Sequence, residues 1–290
     1  MRIGEWLQYA RQKTPGQAVR DGESQAASSH SLDLQILLAH VLAKPRAWIL
    51  AHPDFSLDPA QELSLNQLRE RLEAGEPLPY LTGHQEFYAL DFEVTPDVLI
   101  PRPETEMLVD YSLDWLARHP SARRAADVGT GSGCIAIALA SRLKNLKLIA
   151  SDCSWQALQV ARQNAARLCV SEQIQFILED LLSAAESPLD LVCANLPYIP
   201  QSLLKRLPVS RYEPHLALDG GPDGLALIRA LIADSPRWLA PEGLLILEMQ
   251  FDQGEAIKAL AGRFLPHAQV EIIPDLAGLP RVAAIQARRY

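Results

Sequence analysis

The 290-residue sequence contains no apolar run approaching the roughly 18 residues that a membrane-spanning helix needs. Its start, MRIGEWLQYA, also lacks a basic segment followed by an uninterrupted hydrophobic stretch. A soluble, unexported, cytoplasmic protein is therefore expected. Cysteine is scarce. Cys134, Cys153, Cys169 and Cys193 are widely separated, and suit neither a zinc pair nor a disulfide framework. An excess of positive charge is lacking too. With 27 Lys and Arg against 35 Asp and Glu, the net charge of −8 opposes sequence-independent attraction to nucleic acid phosphates and favours a protein or small-molecule substrate. Low-complexity tracts and internal repeats are also missing, and with 48% hydrophobic residues nearly the whole chain is expected to fold.

Helices dominate the first part. Leu34, Leu37, Leu38, Val41 and Leu42 recur at intervals of three and four until Lys44-Pro45 interrupts them, and Leu65, Leu68 and Leu72 repeat the pattern before Gly75, Pro77 and Pro79 end it. This places a helical domain at residues 1–76. The aromatic, alternating text from Tyr80 to Val94 predicts a short hairpin, so residues 77–100 read as a connector. Residues 101–290 then alternate between strand and helix patterns, as in a mostly parallel α/β sheet covered on both faces.

Within this alternation, Gly129-Thr130-Gly131-Ser132-Gly133 follows a predicted strand and opens a helix. Alternate glycines permit a sharp turn and close approach of a ligand, and a helix start offers free N–H groups to a carboxylate or phosphate. A dinucleotide fingerprint would put its last glycine at 134, where Cys134 stands, so G-x-G-x-G points to S-adenosyl-L-methionine rather than NAD. Asp152, about 20 residues on, ends the second strand, where a carboxylate can accept from both ribose hydroxyls. Asp180, after the third strand, is placed to receive an adenine amino group. Taken singly, each of these residues is as readily a turn glycine or a helix cap. Their recurrence at successive strand ends favours a ligand site.

After the fourth strand comes Asn195-Leu196-Pro197-Tyr198, which resembles the N-P-P-Y tetrad of amino-methyltransferases. The nitrogens that such enzymes methylate have delocalised lone pairs. Two acceptors, the Asn195 side-chain carbonyl and the Leu196 backbone carbonyl, can orient such a nitrogen through its N–H groups, and Tyr198 can lie against its flat face. Direct displacement then depends on orientation and requires no metal or nucleophilic residue. Leu196 replaces the first proline of the tetrad, but Pro197 still biases it toward extended backbone.

More widely, the chain resembles the PrmC/HemK family, which methylates the glutamine of the Gly-Gly-Gln loop in class I peptide chain release factors. The stretches that carry this resemblance include LLAHVLAKPRAWILAHPD, GEPLPYLTGHQEFYALDFEV, LIPRPETEMLVD, DVGTGSGCIAIALA, NLPYIP, RYEPHLALDGGPDGL and DQGEAI. The resemblance implies a small N-terminal helical domain that docks the release factor, a β-hairpin connector, and a Rossmann-like, seven-stranded class I S-adenosylmethionine-dependent methyltransferase domain. By matching positions, Gly129, Thr130, Gly131, Ser132, Gly133, Asp152, Asp180, Leu181 and Asn195 would bind the cofactor, released as S-adenosyl-L-homocysteine. Asn195, Leu196, Pro197 and Tyr198 would hold the glutamine and carry the reaction.

Leu181 stands where relatives can carry an aromatic beside the adenine, and Met249-Gln250 replaces a common Ile-Gly and is expected to alter a pocket wall. Arg102, Glu104 and Thr105 read as an exposed, charged helix start, and the resemblance implies that they also border the active-site mouth. His84 and His215 receive no catalytic role. A monomer without membrane or stable nucleic-acid binding is expected. Two other readings remain open: an RNA adenine amino-methyltransferase, and a non-catalytic adaptor that binds release factors.

Overall fold

The computed structural model describes residues 1–13, 23–183 and 188–288. The chain divides into two compact units, residues 1–83 and residues 84–290. The first holds α1 (Ile3–Lys13), α2 (Glu23–Leu42), α3 (Arg46–Ala51), α4 (Pro59–Glu73) and the short α5 (Leu78–Thr82). The predicted apolar faces meet there: Leu34, Leu37, Leu38 and Leu65 are buried with Ile3, Trp6 and Ile49. α4 starts at Pro59, earlier than its apolar repeat, because Asp58 and Gln61 form a reciprocal capping box at its N-terminus. Tyr80 and Leu81, expected to lead into the hairpin, belong instead to α5, which a left-handed Gly83 closes.

The hairpin itself is β1 (His84–Phe87) and β2 (Leu90–Glu93), and it packs with the second unit through buried Phe87 and Phe92. Its turn residues, Tyr88 and Ala89, both adopt positive φ, the backbone that a two-residue hairpin demands and that non-glycine residues resist. Partners hold Tyr88 there. Its N–H donates to Glu106 (2.7 Å) and its hydroxyl to Asp110 (2.7 Å), both on α6 (Glu106–Arg118).

The rest of the second unit runs β3 (Arg124–Val128), α7 (Cys134–Arg142), β4 (Lys147–Asp152), α8 (Trp155–Arg167), β5 (Ile174–Leu178), β6 (Leu189–Ala194), α9 (Gln201–Leu204), α10 (Ala226–Trp238), β7 (Leu239–Glu248), α11 (Gly254–Phe264), β8 (Gln269–Pro274) and β9 (Pro280–Gln286). Seven of these strands form one sheet in the order β5-β4-β3-β6-β7-β9-β8. β5 through β7 pair in parallel, whereas β9 is antiparallel to both β7 and β8. β8 is the strand that the sequence pattern does not announce. Its edge position leaves its residues exposed or half-buried, without the apolar run of the central strands.

Alternate strand residues feed two cores. Ala125, Leu191, Cys193, Leu244 and Ile246 face α6, α7 and the hairpin, while Ala126, Val192, Ala194, Leu245 and Leu247 face α10 and α11. Burial on both faces explains the continuous apolar strands. β3 and β6 lie side by side where the strand order reverses, the point at which an open α/β sheet leaves a crevice beyond its carboxyl ends.

Candidate active site

Two loops flank that crevice: residues 129–133 after β3, and residues 195–198 after β6. They meet at Gly129. A side chain added there would put its Cβ 3.1 Å from Leu196 Cδ2, and φ at Gly129 is +69°, so both packing and backbone require glycine. The cleft has a volume of about 560 Å³, and its walls include Gly129, Thr130, Gly131, Ser132, Asp152, Asp180, Leu181, Asn195, Leu196 and Pro197. Residues that are far apart in sequence are thereby brought to one opening. Val98, Leu99, Arg102, Thr105, Pro214, Leu216 and Ala217 also line it.

The glycine loop is braced by carboxylates. Asp127, buried at the end of β3, accepts through one oxygen, Oδ2, from the Thr130 hydroxyl (2.6 Å) and the Ala136 N–H (3.1 Å). Burial pushes its pKa up to about 6 against the pull of those two donors. Asp152 accepts from the Gly131 N–H (2.9 Å) through one oxygen and from the Ser154 N–H (2.8 Å) through the other, and burial raises its pKa as well. An added Cβ at Gly131 would touch no other residue and would stand in cleft space. The loop thus forms a cradle that fits a nucleoside-bearing cofactor, with Asp152 on its rim.

Leu181 holds a left-handed backbone, φ +55°, steadied by the Ser151 hydroxyl donating to its carbonyl (2.7 Å). Gly133 does not line the cleft. Its φ of +83° opens α7, and an added Cβ would lie 2.8 Å from Ile137 Cδ1 and 3.2 Å from Ala161 Cβ, so this glycine lets α7 pack closely on α8.

On the opposite side, polar side chains form a chain of contacts. The Asn195 side-chain nitrogen donates to Thr105 Oγ1 (3.1 Å), the Thr105 hydroxyl donates to Glu248 Oε2 (2.6 Å), and the Tyr198 hydroxyl donates to Glu248 Oε1 (3.1 Å). Thr105 and Glu248 are each only 2% exposed. Desolvation raises the pKa of Glu248, opposed by its two hydroxyl donors and by the charge of Arg281. Burial and the Glu248 charge together raise that of Tyr198, which therefore stays a neutral donor. Thr105 is not the exposed helix start expected of it. A single 3-10 turn, Pro103–Thr105, precedes α6 and turns this side chain inward. Tyr198 likewise stands off the cleft wall and packs against the second core.

Several residues of this site escape a reading of the sequence. Glu213, buried, accepts from the Ile100 N–H (3.2 Å) and pairs with Arg102, tying together two segments that line the cleft. Gln253, also buried, donates to the carbonyls of Tyr198 (3.1 Å) and Gly224 (3.1 Å). Asn164 on α8 is fully buried and satisfied at both ends. It accepts from the Glu93 N–H (2.8 Å) and donates to the carbonyls of Glu93 (2.9 Å) and Ser132 (2.9 Å), linking β2 to the glycine loop. The expectation for Met249-Gln250 is corrected. Neither lines the cleft: Met249 is wholly buried in the second core, and the Gln250 N–H binds Gln253 Oε1 (3.0 Å). Burial pushes the pKa of Cys193 up to about 12, leaving a protonated structural thiol; Cys134, raised likewise, is half-buried and lines the cleft.

Known proteins share both units. Residues 17–83 match the PrmC N-terminal domain, and residues 106–206 match the methyltransferase small domain. A release factor glutamine methyltransferase of Moorella thermoacetica is 42% identical over 268 residues, which span 92% of this chain and 94% of that protein. One from Nitratidesulfovibrio vulgaris is 37% identical over 291 residues, 98% and 94% of the two chains. Among solved structures, the catalytic domain of human METTL16 in complex with a MAT2A 3'UTR hairpin aligns with a TM-score of 0.58 at 15% identity, covering 81% of this chain and 84% of that one, which is a likeness of fold. The seven-stranded unit is thus a class I methyltransferase domain, and identity of this order along nearly the full length shows that the chain belongs to the release factor glutamine methyltransferase family.

Proposed function

We propose that this methyltransferase transfers a methyl group from S-adenosyl-L-methionine to the side-chain amide nitrogen of the glutamine in the Gly-Gly-Gln motif of class I peptide chain release factors. The observation that carries this reading is the shared cleft. A glycine cradle and an asparagine amide open into one space, so that a cofactor and a planar nitrogen can meet there. The names of the full-length relatives supply the substrate class.

In this reading the cofactor lies against the loop of residues 129–133, whose N–H groups at 129, 130, 131 and 133 are bonded to Ser151, Asp152 and Thr130 to shape the cradle, and Asp152 accepts from the ribose hydroxyls. Asp180 receives the adenine amino group, with Leu181 and Leu196 as apolar neighbours. When bound, the cofactor supplies an electrophilic methyl on a sulfonium. The protein's contribution is aim. Asn195 Oδ1 and the Leu196 carbonyl accept the two amide N–H groups, drawing electron density onto the nitrogen, while Pro197 restrains the loop and Tyr198, set back from the cleft wall, anchors it from behind through Glu248. Such alignment lowers a barrier by roughly 7–11 kcal/mol in favourable cases. The proton leaves to water after transfer. The helical unit, residues 1–83, supplies docking surface, because a single glutamine offers too little area to be chosen within a folded protein. The enzyme acts as a monomer in the cytoplasm, without stable nucleic-acid binding.

Mass spectrometry of a purified class I release factor, after incubation with enzyme and S-adenosyl-L-methionine, tests the assignment. One methyl group on the Gly-Gly-Gln glutamine is expected. Methylation of adenine in RNA with none on the release factor would reject it, and absence of turnover on either would leave a binding adaptor.

A further inference from the structure

The Asn195 amide has two ends of nearly equal shape and opposite hydrogen-bonding character, and only one end suits a substrate that donates N–H groups. Rotation by half a turn about the last side-chain bond would present NH₂ instead of the carbonyl and repel the amide it should hold. Nothing within the tetrad decides between the two. The decision lies further along the buried chain. In its carboxylate form, which the two hydroxyl donors and the charge of Arg281 favour against desolvation, Glu248 can only accept, so both of its neighbours donate: the Thr105 hydroxyl to one oxygen (2.6 Å) and the Tyr198 hydroxyl to the other (3.1 Å). Thr105, having spent its only proton on Glu248, can only accept from Asn195. Its contact at 3.1 Å must therefore be made by the amide NH₂. The carbonyl end is left for the cleft.

We propose that Thr105 and Glu248 are positioning residues that set the orientation of the Asn195 amide, so that a single buried carboxylate fixes Asn195 through Thr105 and anchors the loop behind it through Tyr198. The relay rests on the reading of Asn195 as an acceptor for the substrate amide. It spans three distant segments: the turn before α6, the loop after β6 and the end of β7. Burial strengthens the link between Thr105 and Glu248, each 2% exposed, because a mispaired donor or acceptor there has few alternative partners.

Thr105→Val tests the relay. Valine keeps the shape of threonine and removes the hydroxyl, freeing the amide to adopt either orientation. With a release factor as substrate, kcat is expected to fall about tenfold to a hundredfold with cofactor affinity little changed, and Tm to drop by a few degrees because buried Glu248 loses one donor. Thr105→Ser retains the hydroxyl and is expected to restore turnover to within about threefold of the parent. In an Asn195→Ala background Thr105→Val should cost no further activity, since the residue it orients is gone. A valine effect that persists undiminished in that background would mark a general structural role and overturn the proposal.

Full activity of Thr105→Val beside a crippled Asn195→Ala would also overturn the relay, leaving the clamp itself standing. Full activity of both single variants would remove the clamp on which the relay depends. If the valine variant fails to fold, Thr105→Ala carries the same predictions, as it too lacks the hydroxyl while relieving any crowding.

Discussion

The two sides of the cleft are built from different materials. On one side a short stretch of backbone does the shaping: Asp127 reaches Thr130 three residues away and Ala136 nine away, and Gly129 and Gly131 take positive φ in between. On the other, side chains do it across the whole domain, with Thr105 bonded to Asn195 over 90 positions and to Glu248 over 143. A loop shaped by its own backbone tolerates change outside it but little within. A clamp shaped by distant side chains can be broken from far away.

Asn195→Ala and its effect on the two sides give the sharpest form of that contrast. Turnover on release factor should fall by roughly a hundredfold to a thousandfold, while cofactor affinity, measured by calorimetry, stays within about threefold because the glycine cradle is untouched. Comparable loss of both would mean that the two sides are not separable.

Asp127 probes the cradle through pH. Its pKa is near 6 in the folded protein against 3.8 as the ordinary value, so the folded state holds this proton more tightly. The stability this contributes is full below about pH 4 and is lost as pH rises through about 6, a change of about 3 kcal/mol at most. Asparagine does not titrate, and its single carbonyl can keep both donors, since Thr130 and Ala136 already share one oxygen. Asp127→Asn should therefore gain stability relative to the parent between pH 4 and pH 7. Denaturation curves that stay parallel over this range would contradict the assignment.

Gly131→Val attacks the same side sterically. A β-branched residue at φ +55° costs about 1–2 kcal/mol, and its side chain would stand in the cleft, so cofactor affinity should fall about tenfold with the overall fold retained. Unchanged affinity would place the cofactor elsewhere. The smallest effect is expected from Leu196→Pro, which keeps the backbone carbonyl and restores the commoner tetrad. Loss of part of the Leu196 side chain from the second core should cost about 1 kcal/mol of stability, with substrate choice unchanged when release factor and RNA are offered together. A switch between the two substrates would make Leu196 a determinant of specificity.

The same contrast governs what the sequence reveals. Gly129 to Ser132, Asp152, Asp180 and Asn195 to Pro197 share one cleft because a parallel α/β sheet gathers its strand ends, which a sequence pattern reveals, whereas Gly133 and Tyr198, next to them in sequence, pack away from it. Thr105 is only partly legible: the resemblance puts it at the mouth of the site, where it does line the cleft, but its neighbours Pro103, Glu104 and Glu106 suit an exposed helix start and only the fold reveals that its side chain turns inward onto Glu248. Glu248 closes an apolar strand, where an acid reads as an end signal rather than as a buried acceptor for two hydroxyls. Gln253 and Asn164 are hidden for a related reason: their partners are mostly carbonyls of distant segments, and a backbone carbonyl carries no sequence signature. Met249 looks like a departure at a pocket wall, yet it fills the core.

Asn164 also constrains anyone who would rebuild this enzyme in parts. Its amide spends one hand on the hairpin and shares the other between the hairpin and the glycine loop. A chimaera that exchanges the hairpin for a foreign linker must still present a backbone N–H and carbonyl where Glu93 now offers them. Otherwise a buried asparagine loses its partners at a cost of about 1–3 kcal/mol per orphaned group, and the loss is felt at Ser132, inside the cradle. The natural seam for module exchange lies ahead of His84, so that the hairpin travels with the methyltransferase fold as its own keystone.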